Sequence, residues 1–263
     1  MEKINCQKIA EDIIKSLKNK SKIKKIMVAI LVGENVASLN FLKQKEKVAK
    51  QLNIGFKLYQ FPKEIENKEL KKEIEKISLL KNVGGIIIQL PLPNHLNRDF
   101  ILKTIPPEKD IDALNKNSLV FPPPVGVIKT ILINQKLNLK NLKVVVIGQG
   151  FLIGKPITNW IKNKCKKLHI IDEGDNFNIL KKADLIISGV GKPGLFGPED
   201  LKNKATVIDF GYSIKHETKN KICGDFNASS SMLHSSGFYT PTPGGTGPIL
   251  ITQVFENFYK LNT

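Results

Sequence analysis

The sequence predicts an α/β protein of two domains, each built on a mostly parallel sheet that is covered by helices. Three observations lead to this prediction. Apolar, β-branched runs alternate with helical patterns along the chain, as in parallel sheets with helical crossovers. Two clusters of proline and glycine, residues 121–126 and 239–248, interrupt the alternation and suit crossings between domains. The chain has 263 residues, 41% of them hydrophobic, which is enough for two modest cores.

The predicted first domain contains three strand-like runs separated by two helical patterns. The strands are IMVAILVG (26–33), FKLYQF (56–61) and GGIIIQL (84–90), and the helices span 36–52 and about 66–81. The N-terminal stretch MEKINCQKIAEDIIKSL has the pattern of an amphipathic helix that carries acidic residues, unlike a signal peptide. No apolar run approaches the roughly 18 residues that a membrane span needs, so we predict a cytoplasmic protein with no membrane partner.

The predicted second domain lies between the two proline and glycine clusters, over residues 121–246. Its strands are KVVVIG (143–148), KLHIID (167–172), ADLIISGVG (183–191) and ATVIDFG (205–211), and a helix begins at about residue 154. A last helix, about 249–260, is too short to fold alone, so residues 247–263 should pack back on residues 1–120. We expect a ligand-binding cleft between the two domains.

The net charge of +17 raises the possibility of nucleic-acid binding, but the distribution of the charge argues against it. Lysines occur in nearly every segment, there is no basic tail, and Arg98 is the single arginine. Aromatic residues do not alternate with the lysines as a base-stacking surface requires. The charge therefore indicates a solvated surface, and we predict no nucleic-acid partner.

The cysteines and histidines form no cluster with metal-ligand spacing. These residues are Cys6, Cys165, Cys223, His95, His169, His216 and His234. An odd number of scattered cysteines also gives no disulfide framework. We predict neither a metal site nor disulfide bonds.

Residues 144–156, VVVIGQGFLIGKP, run from a strand through glycines into a helix. Gly148 and Gly150 would let backbone N–H groups approach a phosphate, and the helix N-terminus adds a partial positive charge. The spacing departs from G-x-G-x-x-G, so an ordinary tight turn is the alternative. The later strand ends in Gly189 and Gly191, where an open α/β sheet places backbone against a cofactor. Together these loops favour a Rossmann-like dinucleotide-binding domain.

Lys45 differs from the other lysines of its predicted helix. At about 100° per residue it falls among Phe41, Val48, Ala49 and Leu52, on the apolar side. An ammonium aimed at apolar surroundings is a candidate for proton transfer or for polarising a substrate. The alternative is a lysine at the edge of the core whose charged end reaches solvent.

Polar residues also follow the strand GGIIIQL and the segment PPEKDIDALN. Gln89 ends a buried strand, where its amide could both donate to and accept from a ligand. Asp110 and Asp112 could each close a turn. A carboxylate in a cleft could instead accept two N–H groups from an amidine-like heterocycle edge.

The order of these motifs resembles the bifunctional methylenetetrahydrofolate dehydrogenase/cyclohydrolase family. The matching motifs are VGENVAS followed by Phe41 and Lys45, then QLPLP, KDID, the loop ending GKP, VGKPG, VIDFG, GDF and PTPGGTGP. They span nearly the whole chain. The resemblance implies oxidation of 5,10-methylenetetrahydrofolate by NAD(P)⁺ and hydrolysis of the methenyl product to 10-formyltetrahydrofolate. It also implies a homodimer and a place in one-carbon metabolism and purine biosynthesis.

The resemblance also implies roles for individual residues. Lys45 matches the catalytic lysine of the hydrolytic step, Gln89 its partner, and Asp112 the carboxylate that grips the pterin. Further matches are Phe41, at the position of a ring that stacks on the folate, and Gly244 and Gly245, at a substrate-binding turn. The implied cofactor contacts are Gly148, Gln149, Gly150, Gly189, Gly191 and Tyr212.

Three positions depart from the family pattern. Phe41 replaces a tyrosine, FPPP replaces P-C-T-P, and Ala113 replaces a glycine after Asp112.

The residues at two cofactor positions favour NAD over the NADP usual in the family. NADP-dependent members commonly have arginine where this chain has Gln149, and serine or arginine where it has Asp172 and Glu173. A carboxylate after the second strand accepts hydrogen bonds from a ribose 2′-hydroxyl and repels a 2′-phosphate. The alternative is that Lys166 or Lys167 binds that phosphate.

Two other functions are compatible with the sequence. The protein could be a related dehydrogenase of another small metabolite, or a folate-binding protein without activity. A dehydrogenase of another metabolite would not bind a tetrahydrofolate analogue, whereas a folate enzyme would. A folate-binding protein without activity would bind the analogue but show no turnover.

Overall fold

The computed structural model describes residues 1–172, 174–215, 221–228 and 237–263. The chain divides into two compact units, neither of which is a continuous segment. One comprises Met1–Ala10 with Pro124–Leu250, and the other comprises Glu11–Pro123 with Ile251–Thr263. The first ten residues thus group with the 124–250 segment, whereas the predicted boundaries placed them in the first domain. We refer to the units by their main sheets, as the six-stranded unit and the three-stranded unit.

The chain begins with a short strand, β1 (Glu2–Lys3), followed by helix α1 (Cys6–Lys18). The predicted helix over the first residues is therefore wrong at its start. The backbone N–H of Glu2 donates to the Gly237 carbonyl at 2.6 Å, and Ile4 donates to Tyr239 at 2.8 Å. A pairing with residues so distant in sequence leaves no trace in the local helical periodicity.

The three-stranded unit contains two successive strand–helix–strand crossovers. They run through β2 (Ile26–Val32), α2 (Val36–Gln51), β3 (Phe56–Phe61), α3 (Asn67–Leu79) and β4 (Val83–Ile88). The sheet order is β3-β2-β4, and both pairings are parallel. The chain therefore leaves the central strand β2 to one side and returns on the other, as in an open α/β sheet.

Two further helices follow β4 along the chain, α4 (Arg98–Leu102) and α5 (Pro123–Asn134). The cluster at 121–126 was predicted to form a crossing between domains, and α5, which was not predicted, begins within it. Pro123 and Pro124 fit there because the first helical turn needs no backbone N–H from them.

The six-stranded unit continues the alternation of strands and helices. Its elements are β5 (Lys143–Ile147), α6 (Gly154–Ile161), β6 (Lys167–Ile171), β7 (Leu185–Ser188) and β8 (Thr206–Asp209), then the hairpin β9 (Ser213–Lys215) and β10 (Lys221–Cys223), then β11 (Phe238–Tyr239). Among the described residues the sheet order is β1-β11-β8-β7-β5-β6, and each pairing is parallel. The strand order reverses at β5, and ligands bind at such switch points in open α/β sheets.

Helix α7 (Thr246–Asn262) begins three residues earlier than predicted. Its later part supplies Phe255 and Phe258, both fully buried, to the core of the three-stranded unit. Met27, Ala29 and Ile87 of the sheet lie in the same core, so the later part of α7 packs on the three-stranded sheet. The six-stranded unit has its own core around Val145, Ile186 and Val207. In the described ranges no helix is long and apolar enough to span a membrane.

Candidate active site

Helix α2 carries one buried lysine among exposed ones. Lys45 is 6% exposed and lies on the same helix face as Leu42 and Ala49, which belong to the core. The other lysines of the helix are exposed, namely Lys43, Lys47 and Lys50. The orientation predicted for Lys45 is therefore confirmed, and the charged end does not reach open solvent.

The buried ammonium of Lys45 faces a carboxylate and an aromatic ring. Its Nζ lies 3.5 Å from Oδ2 of Asp112, and the two side chains are 7% and 14% exposed. The same Nζ lies 5.9 Å from the ring centroid of the half-buried Phe41. Little water reaches either side chain, so each group depends on the other as its partner of opposite charge.

Asp110 closes the turn that presents Asp112. It is fully buried, and its carboxylate accepts the backbone N–H groups of Leu114 at 3.2 Å and Asn115 at 2.8 Å. Burial raises the pKa of Asp110 to about 6, against the lowering effect of those hydrogen bonds. Of the two aspartates considered from the sequence, Asp110 therefore has the structural role, and Asp112 is the one beside Lys45.

Ala113 adopts a left-handed backbone conformation, with φ of 53°. An L-residue with a Cβ is strained in this region, whereas glycine is not. This conformation explains in physical terms why glycine suits the position that follows Asp112. The turn is thus held in a strained form immediately beside the ion pair.

Gln89 follows β4 and shares a hydrogen-bond acceptor with α2. Its Nε2 donates to the Leu90 carbonyl at 2.9 Å, and the Ser38 hydroxyl donates to the same oxygen at 3.5 Å. Ser38 lies in the first turn of α2, where its backbone N–H is capped by the Asn35 side chain at 2.9 Å. Among the described residues, Oε1 of Gln89 is buried without a hydrogen-bond partner. An unsatisfied buried acceptor is costly, so this oxygen is suited to a ligand donor.

The glycine loop after β5 is shaped to bring backbone close to a ligand. Gly148 has φ of +85°, and its N–H donates to the Ile171 carbonyl at 2.9 Å. A side chain at Gly154 would collide with the Gly148 carbonyl, so α6 starts directly against the loop. A Cβ at Gly150 would meet no atom within 4 Å, so this side of the loop is open. The G-x-G-x-x-x-G spacing therefore serves the close approach of loop and helix.

The side chain of Gln149 folds back over the glycine loop. Its Nε2 donates to the Gly148 carbonyl at 2.9 Å and to the Thr158 hydroxyl at 3.0 Å. Gln149 thus joins the loop to α6 and presents no positive charge to a ligand.

Asp172 directly follows β6, and its side chain is exposed. Strands β5 and β6 are parallel neighbours, so Gly148 and Asp172 lie at the same edge of the sheet. The Asp172 backbone N–H donates to Oδ2 of Asp175 at 2.7 Å. Glu173, the second predicted acidic residue, lies outside the described residues.

The remaining predicted residues also lie in the six-stranded unit. Gly189 and Gly191 follow β7, and the exposed Tyr212 lies near Gly191. Gly244 and Gly245, predicted to bind substrate, form the turn before α7. The structure thus brings Phe41, Lys45 and Asp112 together in one unit, with Gln89 linked to the same helix. It places the predicted cofactor residues along the carboxyl edge of the other sheet.

Two buried aspartates of the six-stranded unit were not singled out from the sequence. Asp225 is fully buried and accepts four hydrogen bonds from residues 188–192. Asp209 accepts the N–H groups of Gly211 at 2.7 Å and Phe226 at 3.0 Å. Burial, reinforced by the nearby Asp225, raises the pKa of Asp209 to about 7. The motifs VIDFG and GDF contain these aspartates, and they could have indicated buried carboxylates, because an aspartate in an apolar run needs internal hydrogen-bond partners.

Both halves of the chain match the same family. Residues 3–112 match the tetrahydrofolate dehydrogenase/cyclohydrolase catalytic domain, and residues 122–263 match the NAD(P)-binding domain of that family. The chain belongs to the tetrahydrofolate dehydrogenase/cyclohydrolase family. The family resemblance and the two-domain α/β fold class derived from the sequence are therefore confirmed.

Individual family members are similar over almost their whole length. The bifunctional protein FolD of Staphylococcus carnosus is 33% identical over 259 residues, which is 94% of this chain and 89% of that protein. FolD of a Nitratiruptor species is 33% identical over 269 residues, with 97% and 94% covered. The crystal structure of the FolD methylenetetrahydrofolate dehydrogenase/cyclohydrolase from Campylobacter jejuni superposes with a TM-score of 0.91 at 28% identity, covering 98% of this chain and 97% of that one.

Proposed function

We propose that this protein oxidises 5,10-methylenetetrahydrofolate with NAD(P)⁺ and then hydrolyses the methenyl product to 10-formyltetrahydrofolate. The observation that carries the proposal is the buried Lys45–Asp112 pair beside the Phe41 ring, in a chain whose two halves both match this family. Related proteins with the name bifunctional protein FolD support both activities. A drifted relative that lacks turnover is disfavoured, because the charged pair is retained in a largely buried setting.

Three side chains offer complementary contacts to a reduced pterin. The face of Phe41 would stack on the ring, and the Asp112 carboxylate would accept N–H groups from the amidine-like edge. Oε1 of Gln89 is a buried acceptor that a ligand donor would satisfy. Gly244 and Gly245, in the turn before α7, are proposed to contact the substrate as well.

Lys45 is the proposed proton-transfer group of the hydrolytic step. The oxygen of a water molecule adds to the methenyl carbon and loses a proton. The bond from that carbon to N5 then breaks as the hydroxyl of the adduct loses its proton and becomes the formyl oxygen. N5 takes up one proton, the formyl group remains on N10, and one proton is released overall. The Nζ of Lys45 is the buried nitrogen suited to exchange these protons, and its pairing with Asp112 fixes its position.

The glycine loop of the six-stranded unit fits a dinucleotide. The open side of Gly150 and the close approach of α6 to Gly148 leave room for a pyrophosphate at a helix N-terminus. The cofactor supplies a hydride acceptor for the methylene carbon. The chain's own contribution is to hold the dinucleotide through Gly148, Gln149 and Gly150, and beside Gly189, Gly191 and Tyr212.

We propose NAD as the preferred cofactor. Asp172 lies at the carboxyl end of β6, beside the glycine loop, where its carboxylate would meet the adenosine ribose. Lys167 begins β6, so it lies about 16 Å from Asp172 along an extended strand. This separation weakens the alternative in which Lys166 or Lys167 binds a 2′-phosphate.

The direct test is an absorbance assay with 5,10-methylenetetrahydrofolate and each nicotinamide cofactor. Reduced cofactor and methenyl product are followed separately, so oxidation and hydrolysis are measured in the same sample. We expect reduced cofactor to form and the methenyl absorbance to decay faster than in buffer. Folded protein that forms no reduced cofactor with either nucleotide would contradict the proposal.

We further propose a cytoplasmic homodimer that supplies one-carbon units, including those for purine biosynthesis. Family membership supports this proposal. Light scattering coupled to size-exclusion chromatography tests the oligomeric state, with a monomer as the contradicting result.

A further inference from the structure

Asp225 holds the loop that follows β7 through an unusual number of hydrogen bonds. Its Oδ2 accepts from the Ser188 hydroxyl at 2.6 Å and from the Val190 N–H at 2.8 Å. Its Oδ1 accepts from the N–H groups of Gly191 and Lys192, each at 2.8 Å. Three consecutive backbone N–H groups therefore converge on one carboxylate.

This arrangement is fully enclosed. Asp225 is 0% exposed, so its side-chain oxygens depend on these donors in place of water. The backbone beside it fits closely, because a side chain at Gly211 would collide with the carboxylate. The carboxylate is held by these four hydrogen bonds, and no step of the proposed reaction uses it directly.

Consecutive N–H groups of this kind form the concave anion-binding site that often holds a phosphate. Here the protein's own carboxylate already occupies the concavity. The loop therefore has no amide donors left at residues 190–192 for a pyrophosphate. A phosphate is better placed at the neighbouring glycine loop, where the side of Gly150 is open.

The direction of the amides also fixes the direction of the carbonyls. In a trans peptide the C=O of one residue points opposite to the N–H of the next. Since the N–H groups of Val190 and Gly191 point inward at Asp225, the carbonyls of Gly189 and Val190 point away from it. The third carbonyl, that of Gly191, accepts the Ser213 hydroxyl at 2.6 Å.

The loop lies at the cofactor edge of the sheet. Strands β5 and β7 are parallel neighbours in register at Ile147 and Ser188. The loops that follow them, which begin at Gly148 and Gly189, therefore leave the same edge side by side. One loop presents open backbone near a helix N-terminus, and the other presents carbonyl oxygens.

We infer that Asp225 is a positioning residue for the cofactor. It turns the amides of residues 190–192 inward and so leaves the Gly189 and Val190 carbonyls for hydrogen-bond donors of the dinucleotide. The matching donors are the hydroxyl groups of the nicotinamide ribose or the carboxamide, and not the phosphates. The inference rests on the proposed nicotinamide-dependent function and adds the part of the cofactor that this loop recognises.

The test is Asp225→Asn, which keeps the size of the side chain but replaces one acceptor oxygen with a donor. Dissociation constants are measured by calorimetry for NAD⁺, NADP⁺, ADP and 2′-phospho-ADP. The last two contain the adenosine and phosphates but lack the nicotinamide ribose. We expect the affinity for the dinucleotide that wild type binds better to fall about 10-fold or more. The affinity for the corresponding fragment, ADP for NAD⁺ or 2′-phospho-ADP for NADP⁺, should stay unchanged within about twofold. Equal losses for both, or no loss for either, would overturn the inference.

Two further variants complete the design. Asp184→Asn removes a carboxylate at the opposite edge of the same sheet, where it accepts the Lys143 N–H at 2.7 Å, and it should leave the affinities unchanged. If Asp225→Asn does not fold, Ser188→Ala removes only the hydroxyl donor, and the dinucleotide affinity should fall about two- to fivefold. An unchanged affinity in Ser188→Ala would then count against the inference. Wild-type protein that binds neither dinucleotide would instead contradict the proposed function.

Discussion

The Lys45 ammonium and the Asp112 carboxylate approach to 3.5 Å while both side chains are largely buried. Because little water reaches either side chain, each group relies on its partner, and not on solvent, to offset the cost of burying it. Removing one partner leaves the second charge uncompensated, which is costlier than losing the attraction alone. Experiments on this pair must therefore separate loss of chemistry from loss of fold.

The substitution Lys45→Met should abolish most of the hydrolysis. It keeps the length and apolar contacts of the side chain but removes the proton-transfer group. We expect the rate of methenyl hydrolysis to fall by roughly 10² or more. Lys47→Met, an exposed position on the same helix, is the matched control and should behave as wild type. Near-normal hydrolysis in a folded Lys45→Met variant would assign the lysine a packing role only.

The substitution Ala113→Gly should stabilise the protein. The left-handed conformation of Ala113, with φ of 53°, strains any residue that has a Cβ. Relief of that strain exceeds the added flexibility of the unfolded chain, so the free energy of unfolding should rise by about 0.5–1 kcal/mol. Ala37→Gly, at an exposed helical position of α2, is the control and should lower the free energy of unfolding. Urea unfolding distinguishes the two, and a loss of stability in Ala113→Gly would refute this explanation.

The substitution Asp172→Ser should shift cofactor preference toward NADP. It removes the carboxylate that would repel a 2′-phosphate, so the kcat/KM ratio of NADP to NAD should rise about 10-fold. Lys167→Ser tests the alternative in which Lys167 binds the 2′-phosphate. Its kcat/KM ratio of NADP to NAD should match that of wild type. A wild-type preference for NADP that Asp172→Ser leaves unmoved would exclude the proposed role.

The pH dependence of stability should carry a contribution from Asp209. Its pKa is raised to about 7 in the folded protein, so the folded state retains a proton that the unfolded chain releases near pH 4. The corresponding stability is fully present below about pH 4 and is lost as pH rises through about 7, by about 4 kcal/mol in all. Asp209→Asn should be less stable, because one N–H loses its acceptor, and should lack this slope. Unfolding in urea from pH 4.5 to 8 gives the comparison, and equal slopes in both proteins would contradict the assignment.

The elements that the sequence predicted well are those whose pattern is local. The strands β2, β4 and β5 are continuous apolar runs, and the buried position of Lys45 follows from the periodicity of one helix. Helix α5 was not predicted, because residues 121–126 were interpreted as a crossing between domains, although Pro123 and Pro124 fit a first helical turn.

What the sequence did not predict depends on residues far apart in the chain. The strand β1 exists only because β11 lies beside it, and neither has more than two residues of local pattern. Asp225 meets the loop at residues 188–192 only after folding, so its role could not be derived from the motif GDF alone. Aspartates inside apolar runs were the available signal.

The burial of Phe255 and Phe258 has a consequence for biosynthesis. The strands of the three-stranded unit leave the ribosome early, but their core lacks two large aromatic side chains until α7 is made. Loss of a buried phenylalanine costs about 3–5 kcal/mol, so the loss of both is comparable to the whole stability of a typical domain. The six-stranded sheet is also incomplete until late in translation, because β1 pairs with β11, which lies more than two hundred residues later in the chain. Neither unit can therefore finish folding during translation of its first segment, and a chain cut between them would leave both incomplete.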